Sequence, residues 1–419
     1  MRQKNARKMI MGEVNMDRDK PNFLSLITTI FLGYTMVYID KLTIGIALVP
    51  IAQEMNLAPF EKGLIISIFF LAYTLFQVPM SYLNSKFNTK LILVLSIAAL
   101  GIFMALFGFA PSLFFILALR FLAASIAHAP YPAAASRMVT VHVDMKKRTF
   151  AQAALIGSSG FAAFIGPLVL SRVCQDLGWR SGFFTVSVVC ILVAIFLFFL
   201  LPSTKPEPKN ASEEKAKLPF SKILSNPVVW AIMSSAFFYN GVAYGLFGFL
   251  PSYLTSERGL DLAASGNVMA VIGLGSFIAS LAGGYLIGKY MLGKEKQVIF
   301  TLMIIAAVLI YSIYLIDNLV LATILLAVAY MLGVLGFITI TSLPLKIFPK
   351  EVVAPYYATI NAGGVLGGFF APIILGKLVE LAGGAYVHAF MFLSAITAIS
   401  GICILFVSKS EIQKFAPSK

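Results

Sequence analysis

Stretch after stretch of apolar residues, each ended by a short polar segment, leaves this chain few ways to fold. Roughly 20 apolar residues cross a bilayer as one helix. Lipid supplies no partner for an unpaired backbone group, so such a stretch closes its hydrogen bonds within itself. The chain has 419 residues, 59% of them hydrophobic and only 12% charged, too little polar surface for a soluble domain of this size. The pattern predicts an all-α membrane protein with twelve spans, at roughly 23–50, 61–83, 90–109, 112–139, 148–173, 180–201, 227–256, 262–288, 297–316, 319–346, 352–380 and 385–407. The longest polar interruption, 202–226, is rich in Pro, Lys and Glu and reads as a flexible linker. It divides the chain into a tail (1–22), a six-helix bundle (23–201), the linker, a second six-helix bundle (227–407) and a short tail (408–419).

A formal charge of +14 raises the possibility of nucleic acid, but the positions of the charges exclude it. Lys and Arg concentrate in segments that alternate sides. Arg2, Lys4, Arg7, Lys8, Arg18 and Lys20 precede the first span, and Arg137, Lys146, Lys147 and Arg148 lie at the end of the fourth. The opposite side carries only Lys62, Arg172, Arg180, Arg258 and Lys377. Positive charge marks the cytoplasmic side. Both termini and the linker are therefore expected in the cytoplasm of a multi-pass cell-membrane protein. Cys174, Cys190 and Cys403 show no paired or metal-ligand spacing. No phosphate-binding loop or metal cluster is present in the sequence, nor a nucleophile beside a suitable base, so neither a cofactor nor a metal is expected.

The two halves resemble each other. SYLNSKF (81–87) after the second span matches GYLIGKY (284–290) after the eighth. Glycine-rich runs ending in Pro167 and Pro372 recur at nearly the same offset of about 205 residues. Repeated halves suggest two bundles that rock about a site between them.

Asp40 and Lys41 stand side by side in the middle of the first apolar run. A charge at the centre of a membrane helix costs about 2.5–3.5 kcal/mol on insertion scales, so it marks a functional site by default. The only other fixed charge deep in a predicted span is Arg120; His128 is the remaining deep ionisable group apart from tyrosines. Two cations and one carboxylate leave a local charge of +1, which a singly negative ligand would neutralise. Arg120 has two readings, a bidentate grip on a substrate carboxylate or an ion pair with Asp40. Lys41 likewise either meets substrate or pairs internally. On a regular helix Arg120, Ala124, Ala127 and Tyr131 fall within about 40° of one another, and His128 lies about 80° from Arg120 at the edge of the stripe. From there it can line a cavity and exchange a proton near neutral pH. The second half supplies neutral candidates: Asn240, Tyr244, Asn267, Tyr330 and Asn361.

Several segments in order carry a family resemblance: YIDKLTIGIALVPIAQEM (38–55), AYTLFQVPMSYLNSKF (72–87), RFLAASIAHAPYPAAASR (120–137), GWRSGFF (178–184) and FLPSYL (249–254). Over about residues 23–407 the chain resembles the major facilitator superfamily. Within it, the chain is similar to the anion:cation symporter family, which includes bacterial sugar-acid transporters and the vertebrate sialic-acid and vesicular glutamate carriers. The resemblance implies two six-helix bundles related by pseudo-two-fold symmetry. It places the family's first-helix acid and cation on Asp40 and Lys41, its substrate-contacting tyrosine on Tyr73, its substrate-contacting asparagine on Asn361 and its fourth-helix arginine on Arg120. The family's fourth-helix glutamate, implicated in proton coupling, falls on Ala127. The usual Gly-x-x-x-Asp-Arg/Lys loop pattern has lost its aspartate in both copies, reading Ser81…Ser85-Lys86 and Gly284…Gly288-Lys289. That loss removes a charge contact on the cytoplasmic side and is expected to shift the balance between inward- and outward-open states.

These observations make a non-enzymatic, monomeric transporter of a small organic anion, a sugar acid or another carboxylate, the leading expectation. Lys41, Tyr73, Asn361 and Arg120 are its candidate substrate residues. Asp40 and His128 are its candidate proton-coupling residues, in a symport that works by alternating access. The alternative is a proton-independent exchanger or exporter of anionic metabolites or drugs. A membrane sensor would need an output domain, and the tails of about 20 and 12 residues are too short for one.

Overall fold

Short polar side chains set where the helices begin. Asn22, Asn88, Asn226 and Asn318 each accept a hydrogen bond at 2.9–3.0 Å from a backbone N–H of the first helical turn. Each satisfies one of the donors that a helix start leaves unpaired. The computed structural model describes residues 22–204, 219–290, 293–349 and 352–407. The expected tails and most of the linker lie outside them.

Twelve long helices follow one another: α1 (Phe23–Met55), α2 (Pro59–Lys86), α3 (Thr89–Gly108), α4 (Leu113–His142), α5 (Met145–Leu177) and α6 (Trp179–Leu200) in the first half. The second half contains α7 (Pro227–Ser256), α8 (Leu262–Tyr290), α9 (Glu295–Tyr314), α10 (Leu319–Ile347), α11 (Val353–Val365 and Gly367–Leu381) and α12 (Val387–Cys403). Eleven of the described helices are long and apolar enough to cross a membrane. The other is α7, 30 residues long and largely buried among its neighbours. The expected linker is not irregular throughout, since Phe220–Leu224 forms one further helical turn ahead of α7.

The helices divide six and six. In the first half α1 packs on α5 and α6, α3 on α6, and α2 on α4; in the second half α7 packs on α11 and α12, α9 on α12 and α10, and α8 on α10. Among the described residues three extensive pairs join the halves: α5 with α8, α2 with α11, and α1 with α7. Exchanging the halves sends α5–α8 onto α11–α2 and returns α1–α7 to itself. The contacts therefore carry the pseudo-two-fold relation that the sequence repeat implies.

Small residues let these helices meet at backbone distance. A Cβ on Gly45 of α1 would lie 2.4 Å from the carbonyl oxygen of Phe247 in α7, and one on Gly273 of α8 would lie 2.1 Å from that of Ala163 in α5. Hydrogen bonds between the halves reinforce the end of the bundle farther from the termini. Lys62 donates to Ser252 (3.1 Å), Arg172 to Asn267 (3.0 Å), and the Ala263 N–H to Gln175 (2.8 Å). At the same end Gly178, with φ +82°, lets α6 start directly after α5. Trp179 Nε1 and Arg180 Nη1 then both donate to Glu54 Oε2 at 2.7 Å. The Gly-Trp-Arg segment thus ties α6 to the end of α1.

The altered loop after α2 keeps a different tie at the opposite end. Asn84 Nδ2 donates to the Pro130 carbonyl at 2.8 Å, and Arg137 Nη1 donates to the carbonyl of Asn84. A backbone oxygen thus meets the arginine where the family pattern has a carboxylate nearby. In the second half Lys346 of α10 pairs with Glu295 of α9 at 2.8 Å.

Candidate functional site

Two features of α4 set up the centre of the first half. Pro130 and Pro132 lack the N–H groups that would continue a regular helix. The chain answers with a π turn over Ala124–His128, in which the Ala129 N–H bonds to the Ala124 carbonyl at 3.0 Å. A π turn absorbs one extra residue, so the eight steps from Arg120 to His128 rotate like seven. His128 then lies about 20° from the Arg120 direction, not about 80°. The edge position expected for His128 is thereby corrected, and both side chains face α1.

They converge there on Asp40. Arg120 Nη1 donates to Asp40 Oδ1 at 2.7 Å, and His128 Nε2 lies 2.8 Å from Asp40 Oδ2. All three side chains are buried, at 1% exposure or less. Phe69 of α2 walls them in, with its ring 4.4 Å from the Arg120 guanidinium carbon and 4.7 Å from the His128 ring centroid, edge to face. Asp40, Arg120 and His128 are all outside the lining of the central cavity. Ala127 is also outside it, at 1% exposure.

Lys41 points elsewhere. Its ammonium sits 4.0 Å from the Tyr73 ring centroid, 5.3 Å from that of Tyr38 and 5.9 Å from that of Phe69. Aromatic faces attract a cation without neutralising it. Among the described residues Lys41 has no carboxylate within ion-pair distance, and it faces a cavity of about 780 Å³ between the two halves. It is the only fully charged side chain among the described residues that line this space.

Tyr73 and Asn361 line the same cavity, so three of the four residues expected to meet substrate share one wall space. Asn240, Tyr244 and Tyr330 line it as well, whereas Asn267 lies at the far end, bonded to Arg172. Sequence reasoning did not single out Gln77, Tyr34, Tyr239 or Tyr357. Gln77 was findable, since it follows Tyr73 by one helical turn on α2 and shares its face. The cavity extends to Ser81, Ser136, Gln152 and Thr341, which lie toward the ends of their helices nearer the termini. Its other end is shut by the close glycine contacts and the hydrogen bonds between halves. A buried ion pair, an uncompensated cation facing a cavity and a one-sided opening can hold and release a small anion from one side at a time.

Comparisons with known proteins place the chain in a family. The family model described as Major Facilitator Superfamily matches residues 30–372. The probable galactarate/D-glucarate transporter GarP of Escherichia coli (strain K12) is 26% identical over 437 residues, covering 93% of this chain and 96% of GarP. The probable sulfoacetate transporter SauU of Cupriavidus necator is 24% identical over 404 residues, covering 90% and 92%. The hexuronate transporter of Bacillus subtilis (strain 168) is 24% identical over 419 residues, covering 91% and 94%. Among solved structures, a bacterial homolog to the human lysosomal transporter Spinster, in an inward-facing and occupied conformation, superposes with a TM-score of 0.71 at 17% identity, covering 94% of this chain and 96% of that one.

Proposed function

Because the chain belongs to the major facilitator superfamily, we propose that it is a secondary transporter of small organic anions that works by alternating access across a cell membrane, with both termini cytoplasmic. Family membership also makes it a transporter and not an enzyme. The observation that carries the substrate sign is the unpaired Lys41 ammonium on the cavity wall, while the charges of Asp40 and Arg120 compensate each other behind it. Relatives named for sugar acids and sulfoacetate support the same class of cargo.

Lys41 attracts the anion, and Tyr73 and Asn361 hold it from opposite halves, so a bound ligand draws the bundles together. Arg120 acts through Asp40, not on the substrate. Asp40 takes and releases the coupling proton, with His128 as its second partner in place of the glutamate that Ala127 lacks. An anion arriving at Lys41 adds negative charge near Asp40, and like charges at close range favour protonation of the carboxylate. Substrate and proton then move together, and the protein serves as a symporter acting as a monomer.

Uptake into proteoliposomes tests this reading. The account expects accumulation to rise with an inward proton gradient and to vanish in Asp40→Asn, while counterflow exchange survives in that variant. Net uptake that ignores the gradient and persists in Asp40→Asn would overturn symport and favour exchange.

A further inference from the structure

The geometry points to a narrower cargo than the relatives' names suggest: a singly charged aromatic carboxylate carrying one hydrogen-bond donor opposite its acid group. This inference rests on the organic-anion reading and deepens it.

Charge comes first. Among the described residues Lys41 is the only fully charged group on the cavity wall, and the second half contributes none. One carboxylate of a ligand finds a cation there. The second carboxylate of a dianion would leave water without a counter-charge, which is costly in a low-dielectric site. Galactarate, D-glucarate and sulfoacetate, the compounds in the names of two relatives, all carry two acid groups. The wall of this cavity fits one.

The surface chemistry comes second. Eight of the chain's sixteen tyrosines line the cavity, drawn from both halves. Several of their rings pack in pairs: Tyr34 against Tyr38 at 5.1 Å, Tyr244 against Phe70 behind it at 4.0 Å, and Tyr239 stacked on Phe337 at 4.6 Å. Flat rings favour offset or edge-to-face partners at these separations. A polyhydroxylated acid would instead need many free donors and acceptors, and several polar lining groups have spent theirs. Ser159 donates to the Ile156 carbonyl, Ser280 to that of Ser276, Thr341 to that of Phe337 and Asn240 to that of Ala236, at 2.8–3.0 Å. Ser81, Ser136 and Gln152 stay near the mouth, away from Lys41.

One acceptor on the cavity wall, Gln77 Oε1, is buried without a partner among the described residues. A buried acceptor left unpaired is costly and is ordinarily satisfied. Gln77 sits four residues from Tyr73, over which Lys41 lies, a rise of about 6 Å along α2. An aromatic acid whose carboxylate meets Lys41 carries a para hydroxyl on the far side of its ring, free to donate to Gln77 Oε1.

Purified protein and four probes test the inference by thermal shift and titration: 4-hydroxybenzoate, benzoate, D-glucuronate and galactarate. The expected order of affinity is 4-hydroxybenzoate, then benzoate, then D-glucuronate, with galactarate weakest. Gln77→Leu should weaken 4-hydroxybenzoate about tenfold, the scale of one hydrogen bond, and leave benzoate unchanged. The probe order in the unmodified protein needs no variant to fold. Galactarate or D-glucuronate binding more tightly than both aromatic acids, with loss in Lys41→Gln, would overturn the inference and leave the organic-anion reading standing. No binding of any of the four would overturn both. Equal loss of benzoate and 4-hydroxybenzoate in Gln77→Leu would overturn the assigned donor contact.

Discussion

Asp40 and Arg120 form an ion pair at 2.7 Å, 80 positions apart in the chain and with both side chains 1% exposed. Next in sequence to Asp40, Lys41 has no such pair and sits among aromatic rings. Adjacent residues on a helix point about 100° apart. That rotation separates a structural charge from a functional one.

The first prediction follows from this difference. Removing one partner of a buried pair leaves the other charge uncompensated and costs about 3–5 kcal/mol. Arg120→Met should therefore lower the apparent melting temperature in detergent by many degrees. Lys41→Met removes a cation that has no counter-charge and should leave the melting temperature of the ligand-free protein unchanged or raised. Thermal unfolding of the two variants, side by side, checks the sign of each effect.

His128 is the second partner of Asp40, 2.8 Å from Oδ2. If it shares the coupling proton, His128→Asn should keep counterflow and reduce gradient-driven accumulation about tenfold, the scale of one charge-assisted hydrogen bond. Equal loss of both modes in proteoliposomes would make His128 a packing residue only.

The close approach of α1 and α7 at Gly45 holds one end of the bundle shut. A methyl group there meets backbone oxygens, which cannot rotate away, and overpacking of this kind costs about 1–3 kcal/mol. Gly45→Ala should bias the protein toward opening at that end. In a background with Cys174, Cys190 and Cys403 replaced, a cysteine at position 252 should label about tenfold faster with Gly45→Ala, and one at position 81 more slowly. Unchanged labelling at both positions would contradict the assignment of the closed end.

Much of this was legible before any coordinates. Apolar runs longer than a bilayer is thick leave no choice but helices, so all twelve spans fall within a few residues of their expected places. Lys41 and Asn361 were visible because a charge or an amide inside such a run is conspicuous. His128 was misplaced for a definite reason. A regular helix turns 100° per residue, and the π turn over Ala124–His128, just ahead of Pro130 and Pro132, resets that phase. The prolines themselves were the available signal. Tyr73, Tyr244 and Tyr330 were among the expected residues, whereas Tyr34, Tyr38, Tyr82, Tyr239 and Tyr357 were hidden by chemistry, because a tyrosine in an apolar run reads equally as core, interface or lining. The break of α11 at Leu366 was not read from its glycines, which also serve close packing against Phe237.

The central claim is that Lys41 reads the negative charge of the cargo. The most direct measurement compares an acid with its uncharged amide in the unmodified protein and in Lys41→Gln, using 4-hydroxybenzoate with 4-hydroxybenzamide and D-glucuronate with D-glucuronamide. A hydrogen bond to a charged group contributes about 1.5–3 kcal/mol, so the account predicts that the unmodified protein prefers an acid to its amide by roughly ten- to a hundredfold. It predicts no preference in Lys41→Gln. A preference of equal size in both proteins would contradict it, because the negative charge would then be recognised somewhere other than Lys41.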